Sequence, residues 1–161
     1  MRNTDPTFVG IPALIAQHAA QIAAFEAWAA AGDWMRFHVS HYDWWTFPID
    51  RPSQHGLRYT VYADDVAQLK ADPGFMTRYR RGIVLVAASW GWDVHRADFI
   101  PEPAPEQRWQ HWPVRLHKAG RSARLFGEDA LYESLRRYAL WLIDRGEPFM
   151  YNGYDLSATF R

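Results

Sequence analysis

The chain has 161 residues, 48% hydrophobic and 22% charged: enough apolar material for one domain with a real core, and too much for a disordered chain. Its formal net charge is +0, so binding to nucleic acid or to an anionic membrane needs a local patch. Cys is 0, which excludes disulfides, thiolate nucleophiles and cysteine metal sites, and fits a reducing cytoplasm.

Residues 1–10 carry no apolar run behind a basic start, so they do not read as a secretory signal and are expected to form a flexible arm. A helix begins near Ile11, with Pro12 in its first turn and Ile11, Ile15, His18, Ile22, Phe25 and Ala29 along one stripe; Gly32 ends it. Asp33 caps a short segment, Trp34–Val39. Ser40 then reads as a second N-cap, with Asp43 three residues on as a near capping box. The following aromatic turn, Tyr42–Phe47, is stopped by Pro48. After a loop over 49–61, a helix runs from about Tyr62 to Lys70, with Asp64 and Asp65 favourable near its positive N-terminus.

Asp72–Gly91 is the expected centre of the fold. Asp72 and Pro73 suit a helix start, and Gly91 suits a left-handed stop. Phe75, Tyr79, Ile83, Val86 and Trp90 form one stripe, and Val84 and Leu85 make the second half apolar all round. The longest apolar run, Ile83–Ala88, falls far short of the roughly 20 residues a spanning helix needs. The chain therefore reads as a soluble protein without a transmembrane segment.

Pro101, Pro103 and Pro105 mark an extended crossing loop, followed by a short expected helix, Glu106–Trp112. Pro113 opens the next helix, to Phe126, with Leu116, Ala119, Ala123 and Phe126 on its apolar side. Gly120 in its middle costs about 1 kcal/mol relative to Ala, which a close neighbour or a ligand would explain. A last helix spans about Glu128–Arg145 and stops at Gly146. The segment 147–161, with Phe149, Tyr151, Tyr154 and Phe160, reads as an aromatic tail packed on the body. No period-2 strand is evident. The expected fold is all-α: an irregular bundle of five to seven helices around a buried helix at about 72–91, as a single domain over 11–146.

The run Tyr42-Asp43-Trp44-Trp45-Thr46-Phe47-Pro48, the segment Asp64–Ala71, then Phe75 and Arg78-Tyr79 together resemble the conserved N-terminal domain of the opioid growth factor receptor family. That domain shows a Tyr-x-x-Trp-x-Phe-Pro element, an acidic Val-Ala-x-Leu-Lys helix and a long aromatic helix. Arg115-Leu116, Arg121-Ser122 and Leu125 look like its basic helix, and the order holds over roughly 32–144. The resemblance implies an all-helical, receptor-like binding domain, here in a minimal form whose composition fits a bacterial genome. Animal members are described as nuclear-associated receptors for enkephalin-type peptides. It implies no catalytic residue.

Three functional readings follow. In the first, a peptide or protein partner binds through an aromatic groove lined by Tyr42, Trp44 and His55 together with the basic helix 113–126. In the second, a small-molecule sensor or enzyme has its site between segments 41–55 and 109–121, with His41, Tyr42, His55 and Arg115 as polar groups. In the third, Arg115, Lys118 and Arg121, spaced i, i+3, i+6 and joined by Arg124, hold a nucleic-acid backbone, with Trp109 and Trp112 available for base stacking. The bland alternative is that these cations form a solvated face or pair with acidic neighbours. His38 and His41 alone do not make a metal site, no Gly-x-Ser-x-Gly turn or phosphate loop is present, and no cofactor is expected.

Overall fold

The computed structural model describes residues 1–161. The protein is all-α, with seven helices: α1 (Ile11–Ala30), α2 (Trp34–Val39), α3 (Asp43–Thr46), α4 (Ala63–Ala71), α5 (Phe75–Ser89), α6 (Pro113–Leu125) and α7 (Asp129–Asp144). Two small antiparallel hairpins join them, β1 (Trp92–Asp93) with β2 (Asp98–Phe99) and β3 (Met150–Tyr151) with β4 (Tyr154–Asp155), and a 3-10 turn covers Leu156–Thr159. No helix is long and apolar enough to cross a membrane.

Helix α5 is the buried centre. Phe75, Tyr79, Ile83 and Val86 are all inside, as is Trp90 just past its end. It starts at Phe75 instead of near Asp72, and the Asp72 side chain ion-pairs with Arg78 at 3.4 Å and does not cap the helix. The chain leaves α5 at Gly91, whose φ is +79°; a Cβ there would stand 2.8 Å from the Gln107 carbonyl oxygen, so the position suits only glycine. Helix α1 lies along α5 and buries Leu14, His18, Ile22 and Phe25. Helices α6 and α7 form a second packed pair. Tyr79 couples the pairs: its hydroxyl lies 2.8 Å from Ser122 Oγ on α6, and its ring stacks 4.6 Å from that of Phe126.

Several local expectations differ from the structure. Residues 106–112 form turns and coil, not a helix. Gln107 explains this, since its amide donates to the Ala88 carbonyl and its side-chain oxygen accepts from the Ala104 N–H, tying the segment across the end of α5. Ser40 ends α2 in extended backbone and does not cap α3. The arm at 1–10 is tied down at Asn3, whose side-chain amide donates to the carbonyls of Leu57 and Thr60, each at 2.8 Å, while its backbone N–H donates to Asp65. The tail packs through Phe149 and Phe160, and the Phe160 ring lies over Gly120. That is the close neighbour that the mid-helix glycine required.

Candidate functional site

An open cleft of about 1250 Å³ lies on one side of the molecule. One wall is α3 and the loop after it, from Trp44 through Ile49 to Gln54. The opposite wall is α6, and the β3–β4 hairpin with the 3-10 turn closes one side. The cleft therefore lies between parts of segments 41–55 and 109–121, with a third wall from the tail.

The floor is a buried charge cluster. Lys118 projects from α6 and meets Asp43 of α3 at 2.9 Å. Its ammonium also sits 5.1 Å from the centre of the Trp44 ring, within cation–π range. Arg115, one turn earlier, approaches the same carboxylate at 3.8 Å. Its guanidinium donates to the carbonyl of Phe37 at 2.6 Å and to that of Ser40. Both carbonyls belong to the end of α2, where no helical N–H remains to satisfy them. Arg115 is thus a buried tie between α6 and α2, and not a free ligand group.

Arg121, the third cation of the series, pairs with Asp50 at 2.7 Å at the cleft wall, and this pairing holds the Asp50 carboxyl below its ordinary range despite partial burial. The i, i+3, i+6 stripe therefore faces acidic partners on α3 and the following loop, and not solvent. Arg51 and Arg124 also line the cleft and make no ion pair; Arg124 rests over the Tyr132 ring at 4.8 Å. His117 lines the same wall, with Nδ1 2.7 Å from Thr159 Oγ1. Burial, with Arg121 and Lys118 nearby, pushes its pKa down to about 4, so the ring is neutral at physiological pH.

The remaining candidates divide. His41 and Trp44 line the cleft, and His55 stands edge-on to Trp44 at 4.8 Å just outside it. Tyr42 does not line a groove. It is buried beneath the floor, its hydroxyl donating to the Phe37 carbonyl at 2.8 Å while Arg115 covers its ring. Trp109 also lies away from the cleft, packed against Trp90 and Tyr138 and stacked on Phe149, because the crossing loop folds it back over the end of α5. His38 and His41 do not share a face: His38 Nε2–H donates to the Glu106 carbonyl, whereas the His41 ring lies tilted beside Trp44 at 6.2 Å.

Two cleft residues, Tyr151 and Tyr154, escaped the sequence reading as site residues. They line it with Trp112, the aromatic named with Trp109 for stacking, and Trp112, Tyr151 and Tyr154 have 46%, 38% and 73% of their surface exposed. The signal for the two tyrosines was Asn152-Gly153, a dipeptide that favours two-residue hairpin turns. Both residues have positive φ, 49° and 81°, as such a turn requires.

Compared with family profiles, curated proteins and solved structures, the chain matches none of them.

Proposed function

We propose that this chain is a binding domain of the opioid growth factor receptor type whose cleft receives a peptide segment, either free or as part of a protein partner. The observation that carries the reading is the set of exposed aromatic side chains, Trp112, Tyr151 and Tyr154, on the walls of the cleft. Large exposed aromatics in a concave site are the residues that anchor peptide and protein partners. The volume supports the same choice: about 1250 Å³ exceeds the roughly 300–1000 Å³ of ordinary small-molecule pockets. The family part of the proposal rests on the ordered motifs from Tyr42 to Leu125.

Nucleic acid is the weaker reading. Arg115 and Lys118 are 4% and 7% exposed and Arg121 is paired with Asp50, so α6 offers no exposed stripe of cations to a phosphate backbone. His117 and Thr159 form a hydroxyl–imidazole pair in the cleft at 2.7 Å, but no third group orients the ring from its other nitrogen, so the pair falls short of a nucleophile–base–orienter set.

The test is selection of random peptides displayed on phage against the intact chain, with an enkephalin pentapeptide measured separately by calorimetry. The expected result is a set of peptides that bind the chain and lose binding to Trp112→Ala and Tyr154→Ala variants of unchanged stability. Enkephalin binding would extend the opioid reading to this chain. Selection of no peptide, or of peptides indifferent to both substitutions, would overturn the cleft as a peptide site.

A further inference from the structure

We propose that the cleft selects acidic peptides, with a peptide carboxylate seated at the Lys118 floor and further acidic side chains held by Arg51 and Arg124. The inference rests on the peptide reading above and specifies the chemistry of the peptide.

The charge count of the lining carries it. The chain as a whole has a formal net charge of +0. The cleft is lined by five permanent cations, Arg51, Arg115, Lys118, Arg121 and Arg124, against three carboxylates, Asp43, Asp50 and Asp155. A neutral protein has gathered an excess of positive charge in this cleft. A cleft lined by one sign of charge, with low-dielectric walls, concentrates its field on an incoming ligand of the opposite sign.

The imbalance is sharpest where burial is greatest. Arg115 and Lys118 are 4% and 7% exposed, and both rely on Asp43 as their acidic partner within 4 Å. One carboxylate cannot neutralise two cations. Arg115 has carbonyl oxygens to complete its hydrogen bonds. Lys118 has three N–H donors, and the protein supplies it only the Asp43 carboxylate and the Trp44 ring. Lys118 lines the open cleft, so this excess charge is presented to whatever enters it, between walls that screen it less than bulk water does. A carboxylate in the cleft completes the ammonium's shell and restores balance to the floor. At the rim, Arg51 and Arg124 are exposed and without acidic partners, so they are free to pair with a ligand. The tyrosine and tryptophan walls then take the apolar parts of the same peptide.

The experiment uses two synthetic decapeptides, one alternating Glu and Tyr and the other Gln and Tyr, each as free acid and as C-terminal amide. Binding to the full chain is read by fluorescence anisotropy. The expected result is that the Glu–Tyr peptide binds about tenfold or more tightly than the Gln–Tyr peptide. Its affinity falls as salt rises from roughly 50 to 500 mM, because exposed pairs are screened. The double variant R51Q/R124Q removes two unpaired surface cations, keeps the thermal midpoint, and brings the Glu–Tyr affinity down toward that of Gln–Tyr. A free acid that outbinds its amide in the Gln–Tyr pair identifies the terminal carboxylate as a sufficient anion. Equal affinity for Glu–Tyr and Gln–Tyr would overturn the acidic preference and leave peptide binding standing. Binding of neither peptide counts against both. An R51Q/R124Q variant with unaltered preference would remove the rim arginines from the proposal.

Discussion

The guanidinium of Arg115 lies 4.5 Å from the centre of the Tyr42 ring, and its Nη1 also reaches the Tyr42 hydroxyl at 3.2 Å. The contact joins α6 to the segment between α2 and α3 and sets one wall of the cleft against the other. Arg115→Ala would leave the Ser40 carbonyl without its donor, take one of two donors from the Phe37 carbonyl and uncover the Tyr42 face, while Asp43 keeps its ion pair with Lys118 at 2.9 Å. The expected loss is about 2–4 kcal/mol, from the unsatisfied buried carbonyl and the lost packing. Arg115→Lys is expected to recover little of it, because an ammonium cannot donate in a planar fork to two carbonyls at once. Chemical denaturation of both variants is the measurement. A loss under 1 kcal/mol for Arg115→Ala would return this residue to the list of ligand groups.

How much of this was open to the sequence can be judged from α6. Its period gave the apolar side and correctly placed Arg115, Lys118 and Arg121 together, since residues three apart on a helix share a side. It did not say what that side faces. Asp43 and Asp50, the partners, lie 75 and 71 residues before Lys118 and Arg121, and no local rule connects them. Asp43 invited a local explanation, a capping box with Ser40, and a tertiary contact took the side chain instead. Trp109 shows the same limit: an aromatic beside a basic helix looks available for stacking until the crossing loop folds it over Trp90. The hairpin at 150–155 is different, because its turn signal was readable. The strands on either side are two residues each, too short to show alternation.

Gly120 gives a prediction about packing. A Cβ at this position would come within 2.5 Å of the Phe160 ring, a rigid group that cannot swing aside by a single bond rotation. Gly120→Ala gains roughly 1 kcal/mol of helix propensity. Overpacking typically costs about 1–3 kcal/mol, so the net change is destabilising. In a Phe160→Leu background the clash is relieved, and Gly120→Ala is expected to be neutral or stabilising. A double-mutant cycle by denaturation reads the coupling directly. Additive effects would show that the tail does not press on α6.

His18 makes the fold sensitive to acid. It is fully buried beside Phe75 and Tyr79, and neither ring nitrogen has a hydrogen-bond partner. Burial, and then the charge of Arg78, push its pKa from 6.5 to about 4. Between those values the unfolded chain binds a proton that the folded chain refuses. The stability contribution is therefore complete above pH 6.5 and is lost progressively as the pH falls to about 4, on the order of 3 kcal/mol. His117 adds a loss of the same sign over the same window. His18→Leu is expected to raise stability at pH 5 more than at pH 7.5, flattening the profile without abolishing its His117 part. Urea midpoints at the two pH values decide this, and an unchanged slope in His18→Leu would show that His18 does not drive the acid sensitivity.

The β3–β4 hairpin links the fold to the site, and its turn allows the two to be separated. Gly153 has φ +81°, with nothing within 4 Å of where a Cβ would stand, so a side chain there meets backbone strain and no clash. Gly153→Val therefore acts on the turn alone: a β-branched residue disfavours positive φ and loosens the pairing that holds Tyr151 opposite Tyr154. The hairpin contributes little to the core, since all four of its strand residues are exposed, whereas Phe149 and Leu156 on either side are buried and keep the tail attached. The thermal midpoint is accordingly expected to move by no more than a few degrees, while protease cleavage within 150–155 accelerates. If the tyrosine pair is a wall of the peptide site, selected peptides bind Gly153→Val several-fold more weakly, with Trp112 contacts intact. Faster cleavage with unchanged affinity would place the peptide against α3 and α6 alone and remove the hairpin from the site.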